Sequence, residues 1–155
     1  MPTLKLKDGV LTVSADRPET EITLEAWRAG ARPEGGRFAL VLPNDVDVAE
    51  AAEALARVDA VILHFPVFKD GRAYSQARLL RERYGYRGEI RARGEVLRDQ
   101  VLFMARAGFD AFEAAEKDAP GFAEALSEFS VVYQSAADGA LPAWRRRAAA
   151  RAAAA

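Results

Sequence analysis

Phe38-Ala39-Leu40-Val41-Leu42-Pro43-Asn44-Asp45 is a five-residue apolar run cut off by a proline and two turn formers. A run this short, bounded this way, suits a buried strand. Residues 48–58 then become rich in Ala and Glu, which predicts a helix, and Ala60-Val61-Ile62-Leu63 is a second apolar run. Apolar strands alternating with helices point to a parallel sheet flanked by helices.

The rhythm continues downstream. Ala73, Ala77, Leu80 and Tyr84 stand at helical spacing, so a helix is expected over 73–84. Residues 89–92 read as a third strand. Residues 96–107 read as a helix stopped by Gly108, with Leu97, Val101, Met104 and Ala105 on one face. A fourth strand is expected over 109–112, a helix over 122–129, and a short strand over 131–133. Upstream, Leu4-Lys5-Leu6-Lys7 and Val10-Leu11-Thr12-Val13 flank Asp8-Gly9, a strong hairpin signal. Residues 19–29 suggest a short helix, and 30–36 a loop with glycines and Pro33.

The expected fold class is therefore α/β: a small parallel sheet of repeated βα units with flanking helices, preceded by an N-terminal β-hairpin. An open sheet and a barrel-like arrangement both fit. The expected organisation is one domain over 1–143, with hairpin and short helix in 1–36 and the βα core in 37–134. An Ala/Arg-rich tail follows over 144–155. Three adjacent arginines (Arg145–Arg147) make a weak electrostatic footprint, so the tail reads as helical or frayed rather than as a nucleic-acid arm.

The chain has 155 residues, half of them hydrophobic, enough for a real core. No apolar run approaches the about 20 residues that span a bilayer. No apolar h-region follows the N-terminus, so no membrane partner is expected and the cytoplasm is the expected location. There is no cysteine, which removes thiol chemistry and cysteine-held iron–sulfur clusters from this chain. One histidine is too few for a typical zinc site, and no metal site is expected. The net charge of −1 is unevenly placed. Residues 1–63 hold seven Lys/Arg against eleven acids, and residues 64–100 hold nine against five. A basic middle in a neutral chain fits an anion or an acidic partner better than nucleic acid.

Ligands of parallel sheets bind at the carboxyl ends of the strands. That rule selects Asn44 and Asp45, then His64, then Arg91 and Arg93, with Glu113 after the fourth strand. The loop Lys69-Asp70-Gly71-Arg72 runs into a helix, with Asp70 as the expected N-cap. Arg72, Arg91 and Arg93 are the candidate clamp for an oxyanion. His64 is the candidate catalytic acid–base, against a structural role beside Phe65 and Phe68. Ser75 and Lys69 complete the candidate anion site. Arg78, Arg81 and Arg83 read as a solvated helix face. Arg91 and Arg93 share one strand face, which a fully parallel sheet would cover with helices, so both need a partner or a ligand. There is no dinucleotide fingerprint, phosphate-binding loop, serine elbow or histidine-carboxylate metal motif.

Two central runs carry a family likeness. The first is Phe65-Pro66-x-Phe68-x-Asp70-Gly71-Arg72-x-Tyr74-Ser75-x-Ala77-Arg78-Leu79-Leu80-Arg81. The second runs from Gly88-Glu89-Ile90-Arg91-Ala92-x-Gly94 to Val96-Leu97-Arg98-Asp99-Gln100, and Gly108-Phe109-Asp110-Ala111-Phe112 follows. They resemble an uncharacterised bacterial domain-of-unknown-function family commonly encoded beside the sulfite reductase hemoprotein. Its members are labelled oxidoreductases of sulfite reduction. Ala73 stands where a glycine is expected. The resemblance implies a place in assimilatory sulfite reduction, with the reductase hemoprotein or its electron donor as partner. Siroheme and iron–sulfur centres are then expected on that partner only, with no cofactor on this chain. It brings no catalytic residues with it. The first expectation is an accessory or partner protein presenting Lys69, Arg72, Arg91 and Arg93. The alternative is a small anion-binding enzyme acting on a sulfur oxyanion or phosphorylated metabolite.

Overall fold

A computed structural model describes residues 2–14, 19–32 and 34–153. Pro33 of the expected loop, Arg17 of the charge pattern, and the last two alanines of the tail lie outside the described residues. One mixed sheet of seven strands organises the chain. They are β1 (Thr3–Lys7), β2 (Val10–Ser14), β3 (Thr20–Thr23), β4 (Phe38–Leu42), β5 (Ala60–Phe65), β6 (Glu89–Gly94) and β7 (Ala111–Glu113). The order across the sheet is β2-β1-β7-β6-β5-β4-β3. Strands β3 to β7 are parallel, and the hairpin joins antiparallel to β7. Asp8 and Gly9 both take positive φ, 51° and 79°, as a tight two-residue hairpin turn requires.

The helices are α1 (Leu24–Arg28), α2 (Ala52–Leu55), α3 (Arg72–Arg78), α4 (Val101–Ala107), α5 (Ala119–Ser127) and α6 (Ala143–Ala153). Three expectations need correction. The segment 19–29 is half strand: Thr20-Glu21-Ile22-Thr23 pairs with β4, and the helix starts only at Leu24, capped by the Thr23 hydroxyl. No strand forms over 131–133. The helix over 73–84 is α only to Arg78 and continues as a π turn, Leu79–Arg83.

The parallel strands lie in sequence order. Right-handed crossovers between such strands put every helix on the same side. The core bears this out. Leu40, Leu42, Val61, Leu63, Phe65, Ile90, Ala92 and Phe112 face one way and pack with helix residues such as Trp27, Ala77, Leu80, Met104 and Phe122. The opposite face holds a separate apolar patch of Ala39, Ala60 and Ile62, with no helix residue in it. The expectation that helices cover the face of Arg91 and Arg93 is thus corrected.

That second face is concave. A flat seven-stranded sheet would hold its edges β2 and β3 about 29 Å apart. Ser14 and Thr20 are six residues apart, a reach of at most about 21 Å. Arg93 on β6 also bonds Glu21 on β3 at 2.5 and 2.9 Å, across β4 and β5. Three strand spacings are about 14 Å, so the sheet curls toward this face to bring the two side chains together. The sheet stays open, with β2 and β3 as its edges.

Candidate functional site

The carboxyl ends of the parallel strands form a rim, and the register sorts the side chains on the concave face into rows. Arg93 stands beside His64, with Arg91 beside Ile62 one row below and Glu89 beside Ala60 below that. His64 is exposed and faces away from the buried Phe65. The small alanines at 39 and 60 leave room for the long arginine stems above them.

Each guanidinium on this face already holds carboxylates. Arg91 donates to Glu19 at 2.9 Å and to Glu89, and lies 3.9 Å from Glu113. Arg93 donates to Glu113 at 2.6 and 2.7 Å as well as to Glu21. Arg37 stands 3.4 Å from Glu19, and Lys5 3.0 Å from Glu89. Four cations thus meet four acids. Arg91 and Glu19 are the deepest, with side chains 8% and 4% exposed. Burial pushes the Glu19 carboxyl up, but the Arg91 hydrogen bond, a backbone hydrogen bond and the nearby arginines outweigh it and hold the carboxyl below the usual range. Glu21 is lowered by its hydrogen bond from Arg93. The same bonds to Glu21 and Glu113 raise Arg93 well above the ordinary guanidinium value.

A second cluster sits where β4 and β5 end. Asn44 donates to Asp70 at 2.8 Å, and the Arg72 guanidinium grips Asp70 at 2.6 and 3.0 Å. Asp70 also accepts from the Arg72 backbone N–H at 3.2 Å, but the helix begins one residue later than expected, so Gly71 rather than Asp70 takes the N-cap position. Hydrogen bonds from Arg72 hold the Asp70 carboxyl well below the usual carboxylate range. The start of α3 therefore already has a carboxylate at it. Asp45 adds negative charge near Arg72 and is exposed. Ser75 is exposed on α3.

The candidate residues thus fall into two groups. Asn44, Asp70 and Arg72 form one; Arg91, Arg93 and His64 form the other. No single clamp unites the three arginines, and an incoming oxyanion would have to displace a carboxylate from each. Lys69 is the one cation of the expected patch with no carboxylate partner among the described residues, and its ammonium lies 5.8 Å from the Phe68 ring.

The loop after β5 makes the rest of the rim. The Phe68 N–H donates to Glu95 at 2.8 Å, and its carbonyl accepts from Gln100 at 2.9 Å. Val67, Phe68 and Leu97 are nonetheless exposed. Gln76 ties α3 to the loop after β4 by donating to Pro43 and Val46 carbonyls at 2.8 and 2.9 Å.

Other motif residues serve the frame. Arg81 was expected on a solvated face. It instead turns inward to the Gly108, Tyr86 and Gly88 carbonyls, at 3.0, 2.8 and 2.8 Å, and to Asp110 at 2.9 Å. Asp110 in turn accepts from the Ile90 N–H at 2.7 Å. Sequence reading missed Glu19, Glu21 and Glu89 as partners; only Glu89 gave a signal, since it shares period two with Arg91 and Arg93.

Residues 39–144 match the family described as bacterial protein of unknown function, DUF934. The chain belongs to that family. The match covers strands β4 to β7 with Arg72, Arg91 and Arg93, and leaves out the hairpin, β3, α1 and most of α6, so Glu19 and Glu21 fall outside it. No curated protein and no solved structure matches the chain. No helix among the described residues is long and apolar enough to cross a membrane. No group of three or more His, Asp or Glu among them is arranged to hold a metal ion.

Proposed function

We propose that this protein is an accessory partner in assimilatory sulfite reduction, docking to the reductase hemoprotein or its electron donor through the strand-end rim. One observation carries the docking reading: Val67, Phe68 and Leu97 stand exposed on loops fixed by Glu95 and Gln100. Apolar side chains held out on a rigid support lose little entropy on binding. Lys69 beside them adds a positive charge with no carboxylate partner among the described residues. The neutralised arginines favour a frame over a clamp. The pathway comes from the likeness of the central motifs. In this reading siroheme and iron–sulfur centres belong to the partner, since this chain has no thiolate to hold a cluster.

The test is sedimentation of the purified chain with its cognate reductase at micromolar concentration and low salt. A complex that weakens at least about tenfold with Phe68→Ser is expected. Separate sedimentation, or a complex indifferent to Phe68→Ser, would sink the rim reading. A deletion strain should fail on sulfate and sulfite and grow on sulfide.

The second reading, a small enzyme on a sulfur oxyanion or phosphorylated metabolite, keeps one favourable observation: His64 is exposed beside Arg93 at the open mouth. Calorimetry with sulfite, sulfate and phosphate decides it. Binding lost in Arg93→Ala supports it, and no heat with any of them removes it.

A further inference from the structure

Beyond α5 the chain runs back over α4 and then into α6. The Ala137 N–H donates to the Arg106 carbonyl at 3.0 Å, and the Ala143 N–H to Val132 at 2.7 Å. The resulting face is rich in uncovered large side chains. Phe103 is 64% exposed, Tyr133 79%, Phe129 60% and Trp144 56%. Two grooves meet there. One, of about 410 Å³, is walled by Phe129, Leu141 and Arg146; the other, of about 400 Å³, by Phe103, Tyr133 and Arg78. Arg106 lines both. It lies 3.6 Å from Asp138 and donates to the Gln134 carbonyl at 2.5 Å.

Charge is one-sided in this segment. From Phe129 to Ala153 there are four arginines and one aspartate. Arg147 and Arg151 have no carboxylate partner among the described residues. On α6, Trp144, Arg147 and Arg151 recur at i, i+3 and i+7 and share one side. No residue of α6 is buried, and a helix of this length is marginal on its own in water.

We infer that this face is a docking surface for an acidic protein segment that also carries apolar side chains. Exposed aromatics with arginine are the composition enriched at protein interfaces. Grooves of this size take apolar side chains, and Arg147 and Arg151, on α6 outside the two grooves, are free to meet carboxylates of the same segment. The apolar residues of α6 other than Trp144 are alanines, too weak a face to enter a lipid surface. Four arginines with no lysine are a small footprint for nucleic acid. The two grooves share no lining residue with the rim set of Val67, Phe68, Leu97 and Lys69.

The probe is a synthetic peptide alternating Glu with Leu and Phe, beside an analogue with Lys at every Glu. Each is titrated into the full chain, following tryptophan emission, which Trp144 dominates in its response because Trp27 is buried. The acidic peptide is expected to bind, more weakly as salt rises. Binding should fall at least about tenfold in the Phe103→Ser/Tyr133→Ser variant and in the Arg145→Glu/Arg147→Glu/Arg151→Glu variant. All five positions are exposed, and circular dichroism checks that both variants fold. Phe68→Ser should bind the peptide unchanged, which separates this surface from the rim. No binding, equal binding of the Lys analogue, or full binding by either variant would overturn the inference. So would tighter binding to single-stranded RNA or phosphatidylglycerol vesicles than to the acidic peptide.

Discussion

Arg81 and Gly94 show how much of the motif content is structural. Arg81 gathers three backbone carbonyls and Asp110 at the end of the sheet away from the rim. Arg81→Ala would leave those acceptors unmet in a part-buried place, and about 2–4 kcal/mol of stability should be lost, read by urea unfolding. Arg81→Lys should recover little, because an ammonium cannot reach the fork of acceptors a guanidinium meets. Gly94 ends β6 at φ 105°, and a Cβ there would run into the Phe65 carbonyl, with the Phe65 carbonyl carbon at 2.9 Å. Gly94→Ala should therefore cost roughly 2 kcal/mol or more in the same unfolding experiment. An unchanged midpoint for either variant would contradict these assignments. Both residues belong to the likeness that identified the family, so shared motifs here report the frame as well as any function.

At the scale of elements, β6 is the strand that sets the concave face. Its alternation sends Ile90 and Ala92 to the helix side and Glu89, Arg91 and Arg93 to the other. Arg91→Ala would leave Glu19 and Glu89 as buried charges without their main partner, a loss of about 3–5 kcal/mol. Arg93→Ala should cost clearly less, since Arg93 and Glu21 are more open to water. Equal losses, measured by urea midpoints of the two variants, would contradict the burial order. Most elements were legible because their patterns are local: β4 and β5 as apolar runs, the hairpin by Asp8-Gly9. Strand β3 was not, because four residues with Leu24 and Trp27 behind them also satisfy a helical reading. Arg81 was misplaced because the π turn Leu79–Arg83 breaks the 3.6-residue spacing on which the solvated face was drawn.

For the whole molecule, the ion network predicts acid lability. Glu19 and Glu21 have carboxyls lowered from the ordinary 4.5 in the fold. A lowered carboxylate contributes stability above its unfolded value and loses it as pH falls through the folded one. Asp110 works the other way, because burial raises it and its ionised form opposes folding. With Asp70 also lowered, three lowered carboxyls against one raised one leave a net loss on acidification. Tm should hold near neutrality and drop between about pH 5 and pH 3. Glu21→Gln should flatten that drop. A Tm that rises on acidification, or a Glu21→Gln curve parallel to the wild type, would contradict the network's role.

The sequence alone determined the α/β class, the hairpin, the parallel strands and the residues at their ends, because turn chemistry and hydrophobic period act over a few positions. It also carried the family membership, through runs of adjacent motif residues. Only the tertiary structure decided what the arginines meet. Glu19 and Glu21 lie 72 residues before Arg91 and Arg93, and nothing local joins them. The sequential strand order put all helices on one side, the curl of the sheet brought β3 over to β6, and that closure filled with carboxylates the places where an anion was expected.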